Sequence, residues 1–166
     1  MIRRMAFCFL SMMFVCLSGV AAAASPTPQS PVLANLQQMV TNLGYVTTLS
    51  PTGKSFHFNW QGDNYGFSVG MQVNADQTVA YAYVNIEGYT PAQLAKLDFV
   101  KLLEANNQTD FYYSMQMDPD GKQEVLYGNA IIPVKGLTPQ MLRLNLENMI
   151  YQMDSSGKLW DTSLWK

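Results

Sequence analysis

His57 is the single histidine of this chain, and Cys8 and Cys16 are its two cysteines. Protein zinc sites draw their ligands mainly from several cysteines and histidines, and Ser-His-Asp hydrolysis needs a histidine held between a carboxylate and a serine. One histidine beside Asn59, with both thiols in an N-terminal apolar run, supplies neither set. His57 therefore reads as a surface or hydrogen-bonded strand residue. Asp118-Pro119-Asp120-Gly121 opens like a calcium loop, but Lys122 and Asn129 stand where that loop needs a further ligand and a glutamate. The four residues read as a hairpin turn. GxxxxGK and HExxH are absent from the sequence, and the GxSxG letters of Gly66 to Gly70 fall inside an alternating strand rather than at the strand-to-helix turn of a nucleophile elbow. No spacing of carboxylates forces two into one site, although acids on neighbouring strands could still meet as a glycosidase-like pair. Asn107-Gln108-Thr109 fits a glycosylation acceptor. No cofactor, metal or catalytic residue is expected.

The N-terminus reads as an export leader. Arg3 and Arg4 precede an apolar run from Met5 to Val20, and Ala21 to Ala24 supply small residues ahead of Ser25. The run is about 16 residues, short of the ~20 of a spanning helix. Residues 1–24 are thus expected to be a cleaved signal peptide, and the protein to be periplasmic or secreted, with no membrane anchor after cleavage. Met13, Phe14 and Val15 before Cys16 are too large for a lipidation box. Of ten basic residues, loss of Arg3 and Arg4 leaves eight against twelve acidic ones, a net charge of −4 on the 142 residues that remain. The eight are scattered, so nucleic acid is not an expected partner. Without thiols, the folded part must be held by its core alone.

The elements that would position any site follow from periodicity. Residues 25–31, with Pro26, Pro28 and Pro31, read as an extended linker. Apolar residues at 32, 33, 36, 39, 40 and 43 are spaced for a helix that Gly44 ends. Tyr45 to Leu49 is a candidate short edge strand. Phe56, Phe58 and Trp60 then alternate with His57, Asn59 and Gln61; Tyr65 to Val73 and Val79 to Tyr83 alternate again, separated by turn residues. This predicts an antiparallel meander. Thr90-Pro91 starts a helix expected to run to about Ala105 with Leu94, Leu97, Val100 and Leu103 facing the core. A hairpin of Phe111 to Met117 and Glu124 to Ile132 follows. Thr138-Pro139 opens a last helix carrying Met141, Leu142, Leu146, Met149, Ile150 and Met153 to about Asp154. The order α-β-β-β-α-β-β-α predicts an α+β fold with one antiparallel sheet and helices packed on it. Residues 32–156 form this domain, and 157–166 an apolar tail. Large side chains are expected on one sheet face, with Gly66, Ser68, Gly70, Ala80, Ala82, Gly128 and Ala130 on the other.

This order resembles the fold of type III secretion chaperones of the CesT/Tir kind. Local wording is similar too: Lys101-Leu102-Leu103-Glu104-Ala105-Asn106-Asn107, the Asp-Pro-Asp-Gly turn, Ile131-Ile132-Pro133-Val134, and Leu137-Thr138-Pro139. The YbjN-type regulators look similar at the same level. The resemblance covers residues 32–155 and implies a non-enzymatic homodimer that binds an extended polypeptide along its sheet and helices. Those chaperones are cytosolic, whereas this chain carries an export leader, so the fold transfers more readily than effector injection.

Aromatic residues are the remaining candidates. Tyr112 and Tyr113 are adjacent on one strand, so they must face opposite sides. Both faces of that hairpin then carry aromatic bulk, which calls for a second cover: a dimer mate, a bound peptide or another helix. Phe58, Trp60, Tyr81, Tyr83, Tyr112, Tyr113, Trp160 and Trp165 are the candidate partner-binding residues. The expected function is an exported, non-catalytic module that binds a protein or peptide client, with strand addition at a sheet edge. The alternatives are a small envelope hydrolase whose acids converge in space, and a structural envelope subunit marked by a large exposed apolar patch.

Overall fold

The computed structural model describes residues 29–106, 111–118 and 120–165. The leader and Asn107-Gln108-Thr109 lie outside the described residues. Helix α1 spans Pro31–Asn42; Ser30 caps it by accepting from the Leu33 N–H at 3.2 Å, and proline takes the first helical position. Gly44, at φ +97°, adopts the left-handed conformation that ends the helix. Six strands follow: β1 Thr47–Leu49, β2 Ser55–Gln61, β3 Gly66–Val73, β4 Val79–Tyr89, β5 Phe111–Met117 and β6 Glu124–Pro133. They form one antiparallel sheet in the order β1-β2-β3-β4-β6-β5. The fold is α+β, as the patterning predicts.

The region from Thr90 to Asn106 differs from the single helix expected. It forms α2, Pro91–Leu94, and α3, Phe99–Asn106. Thr90 makes a capping box with Gln93, and Asp98 then acts as a second cap, accepting from the Lys101 N–H at 3.1 Å. The Asp98 cap restarts the helix and rotates its register. Leu97 and Leu102 are buried, whereas Val100 (66 % exposed) and Leu103 (62 %) face outward instead of into the core.

Helix α4, Pro139–Ser155, lies with α1 against one face of the sheet. Leu33, Leu36 and Val40 meet Phe56, Phe58, Phe67, Val69, Met71, Ala80, Ala82, Val84, Ile132, Leu142, Leu146 and Met149 in a single core. The small residues do not share a face. Pairing sets Gly70 opposite Tyr83 and Ala82 opposite Met71, so each face alternates large with small across neighbouring strands. A Cβ on Gly70 would collide with the Tyr83 ring, and one on Gly128 with the Met153 sulfur. Gly66, Ser68 and Gly70 therefore belong to the open face, and Ala80, Ala82, Gly128 and Ala130 to the core face.

The C-terminal segment is part of the core assembly. Helix α5, Gly157–Trp160, and a 3-10 turn, Thr162–Leu164, follow α4. Trp160 is 5 % exposed, its ring 4.5 Å from Tyr65, and its indole N–H donates to the Met153 carbonyl at 3.0 Å. A bulge between Asn85 and Glu87 shifts the parity of β4 and turns Tyr89 toward the helices, where its hydroxyl donates to the Trp160 carbonyl at 2.7 Å. Trp165 stacks on Tyr89 with ring centroids 5.9 Å apart. Thr162 donates to Glu87 through both its hydroxyl (2.7 Å) and its N–H (3.3 Å).

Candidate partner-binding face

With both helical layers on one side, the other face of the sheet has no helix over it among the described residues. Strand pairing runs Thr48, His57, Gly70, Tyr83, Asn129 and Tyr112 across all six strands in one row. The flanking rows add Gln72 with Tyr81, and Tyr127 with Ser114. Tyr81, Tyr83, Tyr112 and Tyr127 are half-buried, and with Gln72, Gln116 and Asn129 they line an open concavity of about 400 Å3. This is within the usual ~300–1,000 Å3 of ligand sites. Asn129 is held at its centre, its amide donating to the Ser114 hydroxyl at 2.9 Å.

The composition of this face is its defining property. Its side chains come from residue 48 of β1, 55, 57, 59 and 61 of β2, 66, 68, 70 and 72 of β3, 79, 81, 83 and 85 of β4, 112, 114 and 116 of β5, and 125, 127, 129, 131 and 133 of β6. No Asp, Glu, Lys or Arg stands at any of these positions. An open face of an antiparallel sheet ordinarily carries polar groups suited to water, and charges on a sheet discourage unwanted association. Tyrosine with Asn, Gln, Ser and Gly is the composition of surfaces that bind through rigid rings and adaptable hydrogen bonds.

The candidate residues divide accordingly. Tyr81, Tyr83 and Tyr112 come together on this face. Tyr113 projects to the other side, as adjacency requires, and is 7 % exposed; burial pushes its hydroxyl up to about 12 despite a hydrogen bond with Ser156. Phe58 is 2 % exposed in the core, and Trp60 is half-buried at the core margin, stacked on Tyr45 with centroids 4.7 Å apart. Trp160 and Trp165 are engaged by the domain itself. Tyr127, Asn129 and Gln116 come beside Tyr81 and Tyr83 only because β6 inserts between β4 and β5, a pairing that period-2 patterning does not reveal, whereas Gln72 reaches the face through the β3–β4 pairing. His57 is exposed on the same face, in the row of Tyr83.

The outer edge of the sheet is guarded. The Asn106 side chain accepts from the Tyr113 N–H at 2.5 Å and donates to the Tyr113 carbonyl at 3.2 Å, filling the place of a neighbouring strand. At the opposite edge β1 is three residues long. Short and covered edges are how sheets resist strand addition, so the strand addition expected from sequence meets an obstacle at each side.

The two acids that both bond to Tyr65 serve a different purpose. Asp154 is 7 % exposed and accepts from the N–H groups of Asn64 (3.0 Å) and Tyr65 (2.9 Å) and from the Asn64 amide (2.7 Å). Burial pushes its carboxyl up, but these donors outweigh burial and hold it below the usual carboxylate range. Asp161 accepts from Ser163 and from the Tyr65 hydroxyl, and is likewise lowered, chiefly by the Ser163 hydroxyl. Two lowered carboxylates bonded to turn amides and hydroxyls are clamps for the β2–β3 turn and the C-terminal segment. Neither is tuned to give up a proton near neutral pH. Among the described residues, no three His, Cys, Asp or Glu side chains form a metal-binding group.

No protein-family model matches the chain, and no curated protein matches it. Among solved structures, the crystal structure of YbjN from E. coli, a proposed transcription regulator, is similar at a TM-score of 0.56 with 14 % sequence identity. The similarity covers 74 % of this chain and 86 % of that one, and it shows that this chain has a YbjN-like α+β fold.

Proposed function

We propose that this chain is an exported, non-catalytic binding module, chaperone-like in use, that takes a protein or peptide partner on its open tyrosine face. The observation that carries the reading is a six-stranded sheet face without a charged residue, on which four tyrosines surround a concavity of about 400 Å3. Protein interfaces are depleted in charge and enriched in tyrosine at their centres. Tyr81, Tyr83, Tyr112 and Tyr127 supply ring anchors, and Gln72, Gln116 and Asn129 supply amides that match a peptide backbone. Because Asn106 fills the β5 edge, the partner lies across the face instead of extending the sheet. A regulator acting through DNA would need clustered Lys and Arg at its contact surface, which this face lacks.

The test is a cross-linked affinity pull-down of residues 25–166 from native envelope extract, read by mass spectrometry. One other protein should be enriched reproducibly and lost with Tyr112→Asp, circular dichroism showing the variant folded. Equal recovery by the folded variant, or recovery of the bait alone, would overturn the reading.

A further inference from the structure

The open face narrows the chemistry of what can lie on it, an inference that rests on that face being the partner's site. Among the described residues, the hydroxyls of Tyr81, Tyr83, Tyr112 and Tyr127 and the side-chain amides of Gln72 and Gln116 have no hydrogen-bond partner. Asn129 is already engaged, its amide nitrogen serving the Ser114 hydroxyl at 2.9 Å and the Tyr127 carbonyl at 3.3 Å. The Tyr83 ring lies over Gly70, in the space a Cβ there would fill, so it rests on the sheet as a platform. Beside Tyr81, across the β4–β6 pairing, Ile131 is 40 % exposed. The face thus offers rings, apolar surface and unused hydrogen-bond donors, and no charge.

We propose that the partner's segment is uncharged and proline-rich, laid across these rings in the polyproline II conformation. Charge decides the first property. A charged side chain brought onto this face would lose water and meet no opposite charge, which is costly. The backbone decides the second. Each ordinary residue brings an N–H as well as a carbonyl, and both need partners when water is removed. Backbone groups within the sheet are taken up between strands. At its edges Asn106 fills the place beside Tyr113, and β1 is only three residues long. A ladder to receive the partner's N–H groups is therefore obstructed at both sides. Proline has no N–H, and a polyproline II chain leaves its carbonyls bare. The free tyrosine hydroxyls and glutamine amides are donors for those carbonyls, and the rings pack on the proline rings. Aromatic-lined grooves take proline-rich segments for these reasons. Such a segment is already extended and stiff, so it loses little freedom on binding.

The test is an NMR titration of the isotope-labelled protein with a capped, uncharged repeat of Pro-Pro-Ala. A Gly-Ser repeat of equal length and a neutral cello-oligosaccharide are the comparisons. The proline repeat should bind at least about tenfold more tightly than either and shift the amides around Tyr83, Asn129 and Tyr112. Tyr83→Ala and Tyr112→Ala should each weaken it about tenfold, the loss expected of an interface anchor. Circular dichroism should show both variants folded, and Tyr151→Ala, 64 % exposed on α4, should change nothing. Equal binding of the Gly-Ser repeat, tighter binding of the oligosaccharide, or no binding of the proline repeat would overturn the inference. Sequencing the partner segment photo-crosslinked at Tyr112 separates this inference from the reading beneath it. A charged or proline-free segment would keep the face as the binding site and overturn the proline assignment. Absence of any adduct would remove the face as the site, and this inference with it.

Discussion

Replacing Trp160 with alanine probes the least anticipated part of the fold. The residue is 5 % exposed, and its ring meets Tyr65, just before β3, at 4.5 Å and Phe67, within β3, at 6.5 Å. Removing a buried tryptophan of this kind costs about 3–5 kcal/mol, the transfer term plus the cavity it leaves. The Met153 carbonyl that accepts from the indole also accepts from the Ser156 N–H and hydroxyl, so its loss adds little. A domain of this size has roughly 5–15 kcal/mol of stability in total. At ~2–4 °C per kcal/mol, the midpoint of thermal unfolding should fall by about 6–20 °C. Trp165→Ala is the internal comparison. That side chain is half-buried at the core margin and stacks on Tyr89, so its loss should cost about 1–2 kcal/mol, one aromatic pair plus part of the burial of its ring. Thermal and urea unfolding followed by circular dichroism would measure both. If Trp160→Ala lay within about 1 kcal/mol of the parent, the C-terminal segment would not be part of the folding unit.

Acid should unfold the domain partly through Asp154. Its folded pKa lies below the unfolded value near 3.8, so its contribution is complete above that value and is lost as pH falls through the folded one. Urea titrations should show the stability of Asp154→Asn falling less steeply below pH 4, with about 2–3 kcal/mol already lost at pH 7 from its charge-assisted bonds; an unchanged acid limb would contradict the assignment. Gly128→Ala should destabilise by about 1–3 kcal/mol, because the added methyl meets the Met153 sulfur and the Phe111 ring at 3.1 Å. A neutral result in urea would mean that α4 can shift freely. Asn106→Ala should expose the β5 edge and raise light scattering on mild heating, at a stability cost of about 1 kcal/mol; unchanged scattering would show that the edge needs no guard.

Strand periodicity made most of the sheet legible. Phe56, Phe58, Trp60, Phe67, Val69 and Met71 sit on the face their alternation assigns, because one buried face leaves a strand a single acceptable register. Strand order was not legible. β6 lies between β4 and β5, and that placement alone brings Tyr127 and Asn129 between Tyr83 and Tyr112. The bulge that re-aims Tyr89 left no alternation signal, and Asp98 read as one more helical residue until its capping bond defined α3. Asp154 was hidden for another reason. A carboxylate in the last turn of a helix opposes the dipole, and only the distant Asn64 turn, ninety positions away, explains it. The candidate site was half visible: its rings stood out by type, but which of them share a face depended on the cross-strand partners.

The proposed function places the partner on the uncharged tyrosine face. The most direct measurement is site-specific photo-crosslinking in the native envelope, with benzoylphenylalanine placed singly at Tyr83, Tyr112 and Tyr127, and at Tyr151 on the outer side of α4 as a control. One common adduct with another protein is expected from the three face positions, and none with that protein from Tyr151. The same adduct from Tyr151, or no adduct from any face position in the folded protein, would contradict the proposal.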